Sequence, residues 1–220
     1  MTIESRDAQA PLDAPLVVEI GAQPLQGLLG ASPNASAIVI FAGGGSRVSP
    51  RNIFVSDHLR RNGFATLLLD LLTPQEERAG ANAFDIALLA QRVAFATEWV
   101  GADARTRALR VGYCCANTGS AAALAAASLP ESRVQAIVSR GGRPDLAAGT
   151  LAQVRAATML IVGSLDTGVI ELNRGALEHI NAPRELVVIP GASHLFEEPG
   201  ALEQVAEHAV RWCQTHLHPS

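Results

Sequence analysis

Three short stretches hold side chains suited to chemistry, and each follows an apolar run. The first reads Cys115-Ala116-Asn117-Thr118-Gly119. Small residues stand two positions either side of Asn117, as a sharp strand-to-helix turn requires where two backbones pass close together. Such a turn holds up the side chain at its tip, here an amide. The second stretch is Gly163-Ser164-Leu165-Asp166 and the third Pro190-Gly191-Ala192-Ser193-His194. Turn, then acid, then histidine is an order in which Asp166 orients His194 and stabilises its protonated form. A His–Asp pair without a nucleophile is still a general base and acid. Asn117 cannot attack a carbonyl and be released through an acyl-enzyme, but its amide offers a donor and an acceptor to a substrate oxygen or a water. This set suits elimination, ring closure, isomerisation, or direct water attack on a reactive ester or lactone. The plain alternative is that Asp166 caps a helix beginning near Val169 and that His194 is an ordinary loop histidine.

Neighbouring residues extend the set. Cys114 is an alternative nucleophile within Gly112-Tyr113-Cys114-Cys115-Ala116. Using it moves the turn three residues earlier and draws Asn117 into the helix, whereas Cys114 and Cys115 as small core residues need no such shift. The run Phe41-Ala42-Gly43-Gly44-Gly45-Ser46-Arg47 lets backbone approach a ligand closely. The backbone N–H groups of Gly43 and Gly44, with that of Thr118, are candidates for an oxyanion hole; a turn and nothing more is the other reading. Arg51, Arg140 and Arg143 also follow strands. Each is suited to grip a substrate carboxylate or, equally, to pair with Asp70, Glu76 or Glu77 and hold loops.

The elements that must position these groups are legible as alternating apolar runs and amphipathic stretches. Strands are expected at Leu16–Ile20, Leu25–Leu29, Ala37–Ala42, Ala65–Leu71, Leu109–Ala116, Val134–Ser139, Met159–Gly163 and Glu185–Ile189. Helices are expected at Pro50–Asn62, Ala83–Val100, Thr118–Ser128, Val169–Ile180 and Ala201–His216, with a short helix or loop at Asp145–Val154. The later strands are continuously apolar, as strands covered on both faces are. The first two read as a hairpin across Gly21–Pro24. Strict alternation from Ala37 onward predicts a mostly parallel eight-stranded α/β sheet with helices on both faces. Ligands in such sheets gather at the carboxyl ends of strands, so the residues just after each strand are the ones that could meet a ligand. Trp99 and Trp212 sit on amphipathic helices and read as packing residues.

Composition removes several classes. All 17 basic residues are Arg. The absence of Lys excludes a Schiff-base lysine and a P-loop. Net charge is −4 with no basic block, so nucleic acid is not an expected partner. The three cysteines, Cys114, Cys115 and Cys213, form neither a disulfide framework nor a zinc pattern. No run reaches the ~18 apolar residues of a membrane span, and residues 1–15 lack an apolar signal core. A cytoplasmic location is the default expectation. The 220 residues fit a flexible N-terminal segment, 1–15, and a single domain, 16–217.

Together, several motifs resemble the dienelactone hydrolase family of α/β-hydrolases, over about Leu25 to His216. They are Ser49-Pro50-Arg51-Asn52, Leu68-Leu69-Asp70-Leu71-Leu72-Thr73, Ser139-Arg140-Gly141-Gly142-Arg143-Pro144-Asp145-Leu146, and Pro190-Gly191-Ala192-Ser193-His194-Leu195-Phe196-Glu197-Glu198-Pro199-Gly200. The resemblance implies an α/β-hydrolase fold without a lid domain. It implies hydrolysis of esters or lactones by a Ser or Cys nucleophile, an Asp and a His, without cofactor or metal. Asp166 and His194 match that pattern. The nucleophile position falls on Asn117, Cys115 replaces the usual Gly, and the loop after the third strand lacks its usual His-Gly opening. The resulting expectation is an enzyme acting on a small ester, lactone or related oxygenated metabolite by His–Asp proton transfer beside Asn117, with hydrolysis or a lyase- or cyclase-like reaction both open. An ordinary hydrolase using Cys114 or water, a hydrolase inactivated at its nucleophile, and a ligand-binding protein without turnover are the rivals. A small molecule is the expected partner, and a homodimer the one assembly considered.

Overall fold

The computed structural model describes residues 15–20, 23–30, 34–43 and 49–217. Eight strands form one sheet: β1 (Pro15–Ile20), β2 (Gln23–Gly30), β3 (Ala37–Gly43), β4 (Ala65–Leu69), β5 (Arg110–Asn117), β6 (Val134–Gly142), β7 (Ala157–Gly163) and β8 (Arg184–Ile189). Their order across the sheet is β1-β2-β4-β3-β5-β6-β7-β8. β1 and β2 pair antiparallel, as do β2 and β4, and every later pair is parallel. The expected hairpin and parallel sheet are both present, and β1 begins one residue before the expected domain boundary. Most of the expected flexible segment lies outside the described residues.

The helices are α1 (Pro50–Arg61), α2 (Pro74–Ala79), α3 (Ile86–Ala102), α4 (Thr118–Ala127), α5 (Thr167–Glu178) and α6 (Ala201–Leu217), with 3-10 turns at Ala81–Phe84 and Pro144–Gln153. Helix α2 was not expected. Its start is nevertheless written in Thr73-Pro74-Gln75-Glu76: Thr73 accepts from the Glu76 amide, Glu76 returns the bond to the Thr73 amide, and Pro74 supplies a helical φ at a position needing no N–H. α3 begins at Ile86 rather than Ala83, because Asp85 takes the Leu88 amide and caps it there.

Two apolar layers sandwich the sheet. On one face Ile38, Ile40, Leu67, Tyr113 and Cys115 meet α3 and α4. On the other Val39, Phe41, Cys114, Val138 and Met159 meet α1 and α6. Cys114 and Cys115 thus lie on opposite faces, as strand alternation demands. Trp212 packs in the second layer and donates its Nε1–H to the Ala157 carbonyl. β3, β4, β5 and β7 are buried almost throughout, which is why they read as unbroken apolar runs. Six of the ten residues of helix α4 are alanine, and the helix is almost wholly buried. Alanine has the highest helix propensity and lets α3 and the sheet approach closely. The carboxyl ends of β5, β6, β7 and β8 carry the candidate site.

Candidate active site

Asn117 ends β5 and stands at the N-cap of α4 with φ 53° and ψ −132°. A positive φ is strained for a residue with a side chain, and here it turns strand into helix within one residue. The reversal brings α4 against β3: a Cβ on Gly119 would lie 2.3 Å from the Ala42 carbonyl oxygen, so no other residue fits. The Arg143 amide donates to the Asn117 carbonyl at 3.1 Å and pins the turn from β6.

Asp166 and His194 reach this tip from the two strands at the far edge. Asp166 occupies the N-cap of α5, yet its side chain caps nothing. It instead accepts from His194 Nδ1 at 2.5 Å. The other ring nitrogen, Nε2, lies 3.1 Å from Asn117 Oδ1. The three residues therefore form one hydrogen-bonded chain, and the helix-capping alternative for Asp166 is set aside. The side chain of Asp166 is 20% exposed and that of His194 41%, so the acid is sheltered while the imidazole is more open to solvent.

Residues not singled out from sequence hold this chain in place. Gly141, with φ 52°, passes beneath the imidazole, and a Cβ there would lie 3.2 Å from the His194 carbonyl oxygen and 3.4 Å from Cε1. The acid and histidine loops are tied together, Leu165 N donating to Ala192 O and Gly191 N to Ser164 Oγ. The Ser193 amide donates to Glu198, holding that carboxyl below its usual range. Phe196, at φ 55°, turns its ring into the core two residues after His194. Asn173 of α5 donates to the Gly142 carbonyl at 3.1 Å. Nothing in the sequence marks Asn173, since a helical Asn normally belongs to a solvated face.

The remaining candidates divide. Thr118 opens α4, and first-turn amides have no intrahelical acceptor. Gly43 ends β3 opposite Ala116, so these two backbones flank the tip, while Gly44 lies outside the described residues. Cys114 is not brought to the tip. It is buried three residues earlier within β5, on the α1 and α6 face, and burial pushes its thiol up to about 11. The expected arginine partners are also corrected. Arg51 pairs with Glu197 at 3.6 Å, Arg143 grips Asp145 through two bonds, and Glu76 belongs to Arg92. Arg140 is buried beside Asn52, with no carboxylate partner among the described residues.

A solved dienelactone hydrolase from Anabaena variabilis matches this structure with a TM-score of 0.90 at 46% identity, over 94% of this chain and 100% of that one. The chain belongs to the dienelactone hydrolase family. As a member of that family it is an enzyme. More distant matches include Est1E from Butyrivibrio proteoclasticus (TM-score 0.76, 13% identity, 91% of this chain and 98% of that one) and a metagenomic dienelactone hydrolase-like promiscuous phosphotriesterase (0.75, 14%, 92% and 98%). At such identity they show the shared α/β-hydrolase fold alone. Two Mycobacterium tuberculosis relatives, from strains H37Rv and CDC 1551, are 51% identical over 213 residues, 96% of this chain. Both are named, provisionally, phosphoribosyl transferases, and this family member spans about half (48%) of their length. No family model matches the chain.

Proposed function

We propose that this dienelactone hydrolase family member processes a small ester, lactone or related oxygenated molecule by proton transfer through His194 and Asp166, without an acyl-enzyme. The observation that carries the reading is the chain Asp166···His194···Asn117 at the tip of the β5–α4 turn. Asp166 fixes the proton on Nδ1 and leaves Nε2 facing the cleft. Asn117 serves both states of the imidazole. Its Oδ1 accepts from a protonated Nε2, and its amide N–H donates to a neutral one. A hydroxyl in its place would surrender its proton and attack, whereas an amide only binds. Nε2 then takes its proton from a water or from the substrate itself. Charge developing on the substrate oxygen faces the Thr118 N–H and the positive end of α4. Water attack on a reactive ester or lactone fits this arrangement, and so do elimination, ring closure and isomerisation, which need the same base and acid.

Turnover of a panel of activated esters and lactones tests the reading, including members with an acidic proton beside the carbonyl. His194→Ala is expected to reduce turnover by about 100-fold or more. Turnover unchanged in His194→Ala, or absent from the native chain across both substrate types, would overturn the proposal.

A further inference from the structure

A cavity of about 330 Å³ opens between the C-terminal ends of α3 and α4, away from Asn117. Helix α4 starts at the Asn117 tip and carries the chain about 15 Å back along the sheet before the cavity is reached. The volume is that of a site for a small molecule. It is left open by small residues, Ala94 and Gly101 of α3 and Ala126 of α4, which stand in its wall where larger side chains would close it. At its floor Tyr113, 1% exposed, shares a 2.6 Å hydrogen bond with Thr97 Oγ1. Thr97 Oγ1 also lies 3.0 Å from the Val93 carbonyl oxygen, which can only accept. The Thr97 proton therefore goes to Val93, and Tyr113 donates to Thr97. Burial raises the Tyr113 phenol above its ordinary value, so it keeps that proton. The Tyr113 oxygen retains a lone pair that no donor among the described residues fills.

The mouth has the same bias towards acceptors. Glu98 and Glu131 stand there, both exposed, and neither is in an ion pair among the described residues. The carbonyl ends of α3 and α4 add negative potential, and neither helix has a basic residue in its last turn to offset it. Arg155 bonds the Leu129 and Pro130 carbonyls beyond α4, outside the wall. Arg133 is the one cation in the wall itself. Its Nη2 is held by the Leu109 carbonyl at 2.8 Å, and its Nη1 lies 2.7 Å from where a Cβ on Gly101 would project. It balances one carboxylate and leaves the other, with the helix ends, in excess. We propose that this cavity binds a small aromatic ammonium compound. Its ring lies between Ala94, Ala126 and Leu129, its ammonium group meets Glu98 and Glu131, and a hydroxyl at the far end of the ring donates to Tyr113. The proposal does not depend on the reaction performed beside Asn117 and His194.

Calorimetric titration with three probes of similar shape separates these contacts. Tyramine carries the ammonium and the phenol, 2-phenylethylamine lacks the phenol, and tyrosol has a neutral hydroxyl in place of the ammonium. In low salt, tyramine is expected to bind about fivefold more tightly than tyrosol, as an ammonium beside exposed carboxylates should, with the preference shrinking as salt is added. It is expected to bind about fivefold more tightly than 2-phenylethylamine, the effect of one neutral hydrogen bond. Glu98→Gln combined with Glu131→Gln is expected to remove the first preference, and Tyr113→Phe the second. Ala94 is only half-buried, so Ala94→Trp can fill the cavity from its open side and is expected to abolish tyramine binding. Tyramine binding no tighter than either analogue in the native protein overturns the proposal, and that comparison needs no variant to fold. Tyramine binding that survives Ala94→Trp overturns it equally, because the ligand then sits elsewhere.

Discussion

At the residue scale the decisive feature is a strained amide. Asn117 holds φ 53° and ψ −132°, a combination that costs of the order of 1–3 kcal/mol for a residue with a side chain. Such strain is tolerated where the side chain it presents is used. Asn117→Gly is therefore expected to raise stability by about 1–2 kcal/mol, roughly 2–8 °C in melting temperature for a chain of this size, while lowering turnover. A lower melting temperature, read by calorimetry, would show that the amide is structural. Thiol chemistry gives a second expectation. Burial pushes Cys114 up to about 11, and raises Cys115 and Cys213 further, so all three should resist Ellman's reagent at pH 8 until the chain is denatured. Rapid native labelling of Cys114 would restore it as a nucleophile. Asn117, Asp166 and His194 were legible because each lies at or just beyond the end of an apolar strand, in a fixed chain order. Asn173, Gly141 and Phe196 were not, because their value lies in what they touch across the sheet edge.

At the element scale, the segment after β4 shows how a short helix is fastened. Helix α2 has no buried residue of its own. It is held by its capping box and by the Glu76–Arg92 pair, with Arg92 projecting from α3 and also bonding the Leu71 carbonyl. The Arg92 guanidinium holds the Glu76 carboxyl down at about 2, against 4.5 for the free group. A depressed carboxylate contributes stability that is present above pH 4.5 and lost as pH falls towards 2. Glu76→Gln is thus expected to cost roughly 3 kcal/mol at pH 7, with the difference from the native chain closing below pH 4. Melting curves against pH check this, and a constant offset down to pH 2 would contradict it. The cap was readable in Thr73-Pro74-Gln75-Glu76, but the apolar periodicity that reveals longer helices is missing from so short and exposed a segment.

At the scale of the whole molecule, the fold converts distant sequence into one site. Residues 117, 166 and 194 sit at the carboxyl ends of β5, β7 and β8, and β6 between them supplies the Gly141 floor. Strand positions were legible because apolar runs covered on both faces leave little ambiguity. The order β2-β4-β3-β5 was not read from the runs themselves, since no single strand records which neighbour its edges take. The architecture implies that any hydroxyl at position 117 would be activated by the existing His194 and Asp166. Intact-mass analysis after treatment with a fluorophosphonate tests this most directly. The native chain is expected to give no adduct, and the Asn117→Ser variant a single adduct at position 117 that disappears when His194→Ala is added. An adduct on the native chain, or an Asn117→Ser variant that remains unlabelled, would contradict it.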